Sequence, residues 1–408
     1  MGHPRSGSDP VRGFLFSPQL DDCVAQLRCP RGTTVRCEEV GYPCEGMAFA
    51  SPIPMTFPSS KTTMPSHQSR PARTFLLLAV LGAALPSAIV VASGMGYVSI
   101  PLWTVIKVIA AGISGQESAL EKFQELYLTV VFDVRLPRIL TAAAVGSGLA
   151  LSGVVFQGLL LNPLADPYTL GVSAGAAFGA SLALLLNVTL FGQYTVAVFA
   201  FAGASLTLAA VIFLSSSAGG VSSNNLILSG VIVTAILSAG ISFFKYLAQE
   251  RVSVIVFWLL GSFASSTWTD AGLTWLLTAA GFAVFLYFGR DLNLLCLGGR
   301  TASSLGVDPF KVRLILLLTG SCLAAACVSV SGIIGFVGLL VPHMMRSITG
   351  PDHYRLLPAS LLVGGILLLG ADTVTRSLLP AEVPIGVLTA LIGGPFFCVI
   401  FRKRQMAL

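Results

Sequence analysis

The stretch GLLLNPLADPYTLGVSAGAAFGA, residues 158–180, interrupts a strongly apolar sequence with two prolines and two polar residues. Pro163 and Pro167 lack an amide donor and disfavour helical backbone at the residue before them, so a preceding helix must end there. Asn162 and Asp166 carry side-chain oxygens that can cap the backbone where the next helix begins. The stretch predicts a tight turn between two apolar helices, and an ordinary turn is sufficient to explain these residues.

Apolar segments of this kind recur along most of the chain. Of the 408 residues, 54% are hydrophobic and 10% are charged, whereas a soluble domain has about a quarter of its residues charged. The apolar runs between about 75 and 400 reach or approach the roughly 20 residues that a helix needs to cross a bilayer. They are continuous rather than alternating, which indicates helices. The sequence therefore predicts an all-α, polytopic membrane protein.

We predict ten transmembrane helices, and counts of nine to eleven are compatible with the pattern. Two further apolar stretches, 99–114 and 252–263, are predicted to be interfacial or partly inserted. The ten predicted spans are 75–95, 136–160, 168–188, 193–214, 224–247, 272–289, 311–330, 333–347, 354–374 and 383–401. Small residues cluster inside them, as in TAAAVGSGLALSG at 141–153 and LLVGGILLLG at 361–370. Because small residues allow membrane helices to approach closely, a compact bundle is expected.

Basic residues indicate the orientation, because Lys and Arg collect in cytoplasmic loops. They precede the first span, fill the loop after the sixth and follow the last: Arg70 and Arg73; Arg290, Arg300, Lys311 and Arg313; Arg402, Lys403 and Arg404. An even number of spans with both ends inside satisfies all three clusters. Arg135 and Arg138 then fall on the outer side.

Residues 1–70 differ in composition from the rest and lack helical periodicity. The cysteines in this segment are too widely separated for the close pairs of a zinc site; they are Cys23, Cys29, Cys37 and Cys44. Two interpretations remain open, a disordered tail or a start codon assigned too far upstream, with Met55 or Met64 as the first residue. The transmembrane domain is assigned to 71–408, and no metal site is predicted.

Several function classes find no support in the sequence. There is no G-x-x-x-x-G-K-[ST] phosphate loop, no H-E-x-x-H and no G-x-S-x-G, so we predict no catalytic residue, no cofactor and no nucleic-acid partner. Ionisable residues are scarce inside the spans, and Asp372, Arg376 and Glu382 are expected at a water-accessible turn between the last two. This scarcity counts against an ion-coupled secondary transporter. Energy for active transport would have to come from a partner.

Two long segments resemble the FecCD family of type II ABC importer permeases, which serve iron-siderophore, haem and cobalamin uptake. They are VRLPRILTAAAVGSGLALSGVVFQGLLLNPLADPYTLGVSAGA at 134–176 and SGIIGFVGLLVPHMMRSITGPDHYRLLPASLLVGGILLLGADTVTRSLLPAEVPIGVLTALIGGPFFCVIFRKR at 331–404. The resemblance covers about 75–404 in matching order. It implies a ten-helix subunit of the bacterial inner membrane that forms a homodimer. Two ATP-binding subunits on the cytoplasmic side and a substrate-binding protein on the outer side are the implied partners.

The resemblance also implies roles for individual residues. Arg135, Arg138 and Arg376 match arginines that face outward and pair with Glu residues of the binding protein, which suits the bidentate guanidinium; the alternative is anchoring to lipid headgroups. LGGRTASSLGVDPFKVR at 297–313 matches the segment that couples to the ATPase, and the alternative is a solvated basic loop. The assigned coupling residues are Arg300, Ala302, Leu305 and Gly306, with Gly306 as a plausible helix cap.

Two further motifs match the family as helix turns or gate packing. Their residues are Asn162, Pro163, Asp166, Pro167, Gly335, Gly338 and Pro342. A short similarity between VRLPRILT at 134–141 and VRLILLLT at 312–319, five spans apart, would indicate an inverted repeat. The sequence thus favours an ABC importer permease working by alternating access. An ion-coupled secondary transporter, and a membrane enzyme or scaffold, are the rival classes.

Overall fold

The computed structural model describes residues 71–96, 99–114, 125–217, 220–377 and 383–405. The N-terminal segment 1–70, with its four cysteines, and Glu382 lie outside the described residues. The division of the chain at residue 70 therefore stays a prediction.

The described residues form fifteen α-helices and one short antiparallel hairpin. The helices are α1 Pro71–Gly94, α2 Leu102–Ser114, α3 Glu125–Thr129, α4 Leu136–Leu159, α5 Val172–Leu185, α6 Thr195–Ser215, α7 Ser223–Ala248, α8 Val252–Leu260, α9 Trp268–Tyr287, α10 Gly289–Leu295, α11 Gly299–Ser304, α12 Pro309–Ser331, α13 Val337–Thr349, α14 His353–Ser377 and α15 Ile385–Gln405. A π-helix, Val130–Arg135, joins α3 to α4, and 3-10 turns occur at Pro167–Leu170, Gly192–Tyr194 and Gln249–Arg251. Strands β1 Ser216–Ser217 and β2 Gly220–Val221 form the hairpin.

Seven helices in the described part of the chain are long and apolar enough to cross a membrane. They confirm a multi-pass, all-helical membrane protein, whereas the exact count of ten is not confirmed. The difference of three arises from the predicted spans 168–188, 333–347 and 383–401. They correspond to α5 with 14 residues, α13 with 13 and the apolar part of α15, Ile385–Val399. At 1.5 Å per residue each is about 20 Å long, less than the roughly 30 Å hydrocarbon core. The breaks before α5 and α13 coincide with the gaps between predicted spans, so the lower count reflects the short length of the helices that follow them.

Helix α4 lies at the centre of the packing, with nearly every residue buried. It contacts α9, α12, α13 and α14. Two glycine pairs explain the close approach. A Cβ atom on Gly364 of α14 would overlap the carbonyl oxygen of Gly146, and one on Gly153 would overlap the carbonyl oxygen of Gly338 on α13. The small residues of 141–153 thus allow backbones to touch, as expected for helices held together by packing.

Candidate functional site

Two of the three arginines singled out by the sequence, Arg138 and Arg376, lie beside one buried carboxylate. Arg138, near the start of α4, places its Nε 3.0 and 3.2 Å from the two carboxylate oxygens of Asp372 on α14. Arg376 lies one turn further along α14, with its Nε 4.0 Å from Asp372 Oδ2. Because Asp372 is fully buried, this ion pair joins α4 to α14 in a low-dielectric environment.

Carbonyl oxygens at the end of α1 complete the arrangement, which we call the arginine cluster: Arg135, Arg138, Asp372 and Arg376. Arg135 Nη1 donates to the carbonyl oxygen of Ser93 at 2.7 Å, and Arg376 Nη2 donates to that of Ala92 at 3.0 Å. The last carbonyls of a helix lack intrahelical partners and favour nearby cations. The arginine cluster therefore ties together the ends of α1, α4 and α14.

The expectation of a water-accessible Asp372 is wrong. Helix α14 continues to Ser377, past the predicted span end at 374, so Asp372 lies within the helix and faces α4 rather than solvent. Arg135 and Arg138 are only 4% and 6% exposed, so most of each side chain is held inside the chain. Their docking to a binding protein stays a prediction.

The two motifs proposed as turns or gates come into direct contact. The segment between α4 and α5 carries Asn162 Oδ1, which accepts from the Leu164 amide at 2.9 Å, and Asp166 Oδ1, which accepts from the Thr169 amide at 3.0 Å. Tyr168 Oη then donates to the carbonyl oxygen of Ile334, between α12 and α13, at 2.8 Å. Both segments precede a helix too short to cross the bilayer alone. Such discontinuous helices mark pathways in membrane transporters.

Within the second motif, the residues have different environments. Gly338 packs against α4, and its added Cβ atom would come 2.9 Å from the carbonyl oxygen of Leu149; nothing lies within 4 Å of a Cβ on Gly335. Pro342 is buried in α13. Phe336, which nothing in the sequence singled out, has a left-handed backbone with φ of 68°. A Cβ on Gly393 of α15 would approach its side chain to 2.6 Å.

The predicted coupling residues lie on and just after the short helix α11. Ala302 is fully buried, whereas Leu305 is 56% exposed and Arg300 is also exposed. Gly306 follows with φ of 88°, and its amide donates to the Ser303 carbonyl oxygen at 3.1 Å. This is the left-handed geometry that ends a helix at glycine. The arrangement leaves an apolar residue and a cation on an accessible surface.

Asn293 on α10 connects this segment to the start of α14, a contact that the sequence analysis missed. Its Nδ2 donates to Asp352 Oδ1 at 2.9 Å, and its Oδ1 accepts from the His353 amide at 3.1 Å. Leu292 and Leu295 on the same helix are buried in the core. The charged and polar residues of PDHYR, 351–355, were the available sequence signal, but nothing in the sequence identified Asn293 as their partner.

Asp308 fixes the other end of the coupling segment by capping α12. Its Oδ1 accepts from the amides of Phe310 at 3.1 Å and Lys311 at 3.2 Å, and its Oδ2 lies 3.2 Å from Lys311 Nζ. The Lys311 backbone amide, followed by its side chain, lowers the pKa of the Asp308 carboxyl below its ordinary value. Asp308 is thus held ionised at the start of the helix, where a negative charge is favourable.

No group of three or more His, Cys, Asp or Glu side chains in the described ranges could hold a metal ion. Four cysteines there are free, namely Cys296, Cys322, Cys327 and Cys398.

These features define a multi-pass helical membrane protein with discontinuous helices between two polar ends. The chain belongs to the FecCD transport family, whose model matches residues 77–403. Members of this family are permease subunits of ABC importers, which agrees with the resemblance seen in the sequence.

This chain is similar to permease proteins that are named for the transport of different substrates. The molybdate import system permease protein MolB of Haemophilus influenzae is 42% identical to this chain, and the matched region spans 68% of this chain and 82% of MolB. The cobalamin import system permease protein BtuC of Halobacterium salinarum is 42% identical, covering 68% and 74%. The hemin transport system permease protein HmuU of Yersinia pestis is 40% identical, covering 67% and 83%.

A solved structure agrees with the same fold. It is described as an inward-facing conformation of a metal-chelate type ABC transporter, and it is 38% identical to this chain with a TM-score of 0.69. The match covers 80% of this chain and 99% of the solved one. The type II ABC permease fold therefore extends over most of the chain.

Proposed function

We propose that this chain is the permease subunit of an ABC importer in the bacterial inner membrane. It translocates an iron chelate, such as a ferric siderophore or haem, or cobalamin, by alternating access. The observation that carries this proposal is that α10, which leads into the predicted coupling segment, and the arginine cluster contact opposite ends of α14. Asn293 contacts its first residues, and Asp372 and Arg376 lie near its last. A helix of 25 residues is about 38 Å long, enough to connect the two faces of a membrane.

Separate proteins supply the energy and the substrate in this proposal. The sequence has no phosphate-binding loop, so two ATP-binding subunits hydrolyse ATP against α11 of a homodimer. A substrate-binding protein docks at the outer end through carboxylates that pair with Arg135, Arg138 and Arg376. Because Arg135 and Arg138 are only 4% and 6% exposed, these pairs require the guanidinium groups to turn outward on docking. An ion pair at the solvent-exposed rim contributes about 0–1 kcal/mol and is screened by salt, so docking weakens as ionic strength rises.

The mechanism moves helices as rigid bodies. Closure of the ATP-binding subunits displaces α11, and α10 passes the displacement to α14 through Asn293. Because α14 packs along α4, the shift reaches the contact between Tyr168 and Ile334, where the two discontinuous segments meet. Opening and closing of the path then takes place at these segments, since helix breaks change conformation more readily than continuous helices.

An ion-coupled secondary transporter is less well supported. Ion coupling needs a membrane carboxylate that can release and rebind a proton or a cation. The carboxylate of Asp372 instead lies 3.0 Å from Arg138 Nε and is therefore already engaged in an ion pair.

Uptake by proteoliposomes tests the proposal. The full-length chain is reconstituted with candidate ATP-binding subunits and a candidate binding protein from the same organism. Ferric siderophore, haem, cobalamin and molybdate are offered separately. We expect ATP-dependent uptake of an iron chelate or cobalamin. Uptake of molybdate alone would contradict the proposed substrate class. Uptake that does not require ATP but stops when an ion gradient is removed would contradict the ABC importer mechanism.

A further inference from the structure

An apolar cavity of about 260 Å³ lies between four helix ends, apart from the arginine cluster. It is surrounded by the C-terminal ends of α4 and α6 and by the N-terminal ends of α7 and α12. Its walls are mainly aliphatic, including Leu160, Leu226 and Leu317. The basic residues near these helix ends place the cavity on the side assigned to the cytoplasm.

Arg313 gives one wall of this cavity a positive charge. Its Nε atom is buried and has no hydrogen-bond partner within the described ranges. Asp308 also lines the cavity, but its carboxylate already accepts two amides and pairs with Lys311. A buried donor without an acceptor is costly, so the site favours an anion that can accept from Arg313.

The combination of apolar walls and one cation in the lining fits a lipid better than a soluble anion. Arg313 is the fifth residue of α12, about 6 Å along the axis from its first residue, which is close to headgroup depth. A phosphate ion would satisfy the guanidinium but would leave the aliphatic walls uncovered. An acyl chain covers them, and burial of apolar surface stabilises the complex. Basic pockets between transmembrane helices on the cytoplasmic side bind anionic headgroups in this manner.

We propose that this cavity is a binding site for an anionic phospholipid of the cytoplasmic leaflet. The headgroup phosphate accepts from Arg313, and one acyl chain lies along Leu160, Leu226 and Leu317. The site is independent of the transported substrate, so its failure would leave the proposed function untouched.

Native mass spectrometry and thermal unfolding of the full-length protein test this site. The protein is compared in nanodiscs of phosphatidylglycerol and of phosphatidylcholine, and bound lipid is counted after gentle transfer to detergent. We expect phosphatidylglycerol to be retained preferentially and to raise the Tm. In Arg313→Gln the preference for the anionic lipid should fall roughly fivefold, the effect of removing one cation near a lipid phosphate.

Lys311→Gln is the matched control, because it removes the same charge two residues away. The Lys311 side chain is 78% exposed and does not line the cavity, so the lipid preference should persist. Leu226→Trp is a second variant that keeps Arg313 but fills the cavity, and it should displace the lipid.

Four results would overturn the proposal. The first three are equal retention of both lipids by the wild type, an unchanged preference in Arg313→Gln, and an equal loss in Lys311→Gln, which would indicate general surface charge. A change in oligomeric state in Leu226→Trp with no change in bound lipid would assign the cavity to a second copy of the chain and would also overturn it.

Discussion

Replacement of Asp372 by Ala should destabilise the protein by about 3–5 kcal/mol, the cost of removing one partner of a buried ion pair. Asp372 is fully buried and Arg138 is 6% exposed, so the guanidinium would lose its nearest carboxylate without gaining water. An exposed pair is worth only about 0–1 kcal/mol, so burial decides the size of the effect. The double variant Arg138→Met with Asp372→Leu should recover much of the loss, because apolar residues of similar volume replace buried pairs well.

Unfolding in mixed detergent micelles, followed by circular dichroism, would measure these differences. Lys311→Met is the control, because it breaks an ion pair with 78% and 48% exposed side chains, and it should change stability little. A loss in Asp372→Ala no larger than in this control would refute the idea that the arginine cluster is a buried structural joint. Failure of the double variant to recover stability would refute the explanation by an unmatched charge.

Three further predictions concern packing, pH and docking. Gly364→Leu should destabilise the protein by at least about 1–3 kcal/mol through overpacking. Gly370→Leu is the control and should change stability little, because nothing lies within 4 Å of its added Cβ. The Tm values of the two variants, measured by thermal unfolding, test this difference. Because the pKa of Asp308 is lowered in the folded protein, the wild type should lose stability relative to Asp308→Asn as pH falls below the ordinary pKa of 3.8. If the stability difference between the two proteins does not change with pH, Asp308 does not act as a charged cap. Changing Arg135 and Arg376 together to Gln should weaken capture of the binding protein while assembly with the ATP-binding subunits persists, and unchanged capture would remove both residues from the docking surface.

The sequence predicted those features that depend on neighbouring residues. The predicted span 136–160 agrees with α4 at Leu136–Leu159, because the helix cannot continue through Pro163 and Pro167. The left-handed Gly306 likewise follows from a short helix that stops at glycine. The break before α13 likewise falls between the predicted spans 311–330 and 333–347, although the helix begins only at Val337.

Contacts between distant segments could not be predicted in this way. The Tyr168 hydroxyl and the Ile334 carbonyl are 166 residues apart in sequence, and Arg138 and Asp372 are 234 apart. The sequence showed that arginines and an aspartate exist near helix ends, but only packing of α4 against α14 brings them together. The buried position of Asp372 depends on the same packing.

The helix order gives the possible inverted repeat a structural counterpart. Helix α4 is long and is followed by a break and the short α5, and α12 is long and is followed by a break and the short α13. The similar sequences 134–141 and 312–319 overlap the starts of the two long helices. Equivalent discontinuous helices in two halves are typical of transporters with internal repeats, which is consistent with a path near the contact of Tyr168 with Ile334.

Stimulation of ATP hydrolysis by the loaded binding protein is the most direct test of communication between the two faces. The complete assembly is compared with Asn293→Ala, which removes the hydrogen bonds from α10 to Asp352 and His353. The control is Asn225→Ala, which changes an exposed asparagine at the start of α7. We predict that Asn293→Ala keeps basal hydrolysis but loses the stimulation, whereas Asn225→Ala retains both. Full stimulation in Asn293→Ala would contradict the account that α14 carries movement between the coupling segment and the arginine cluster.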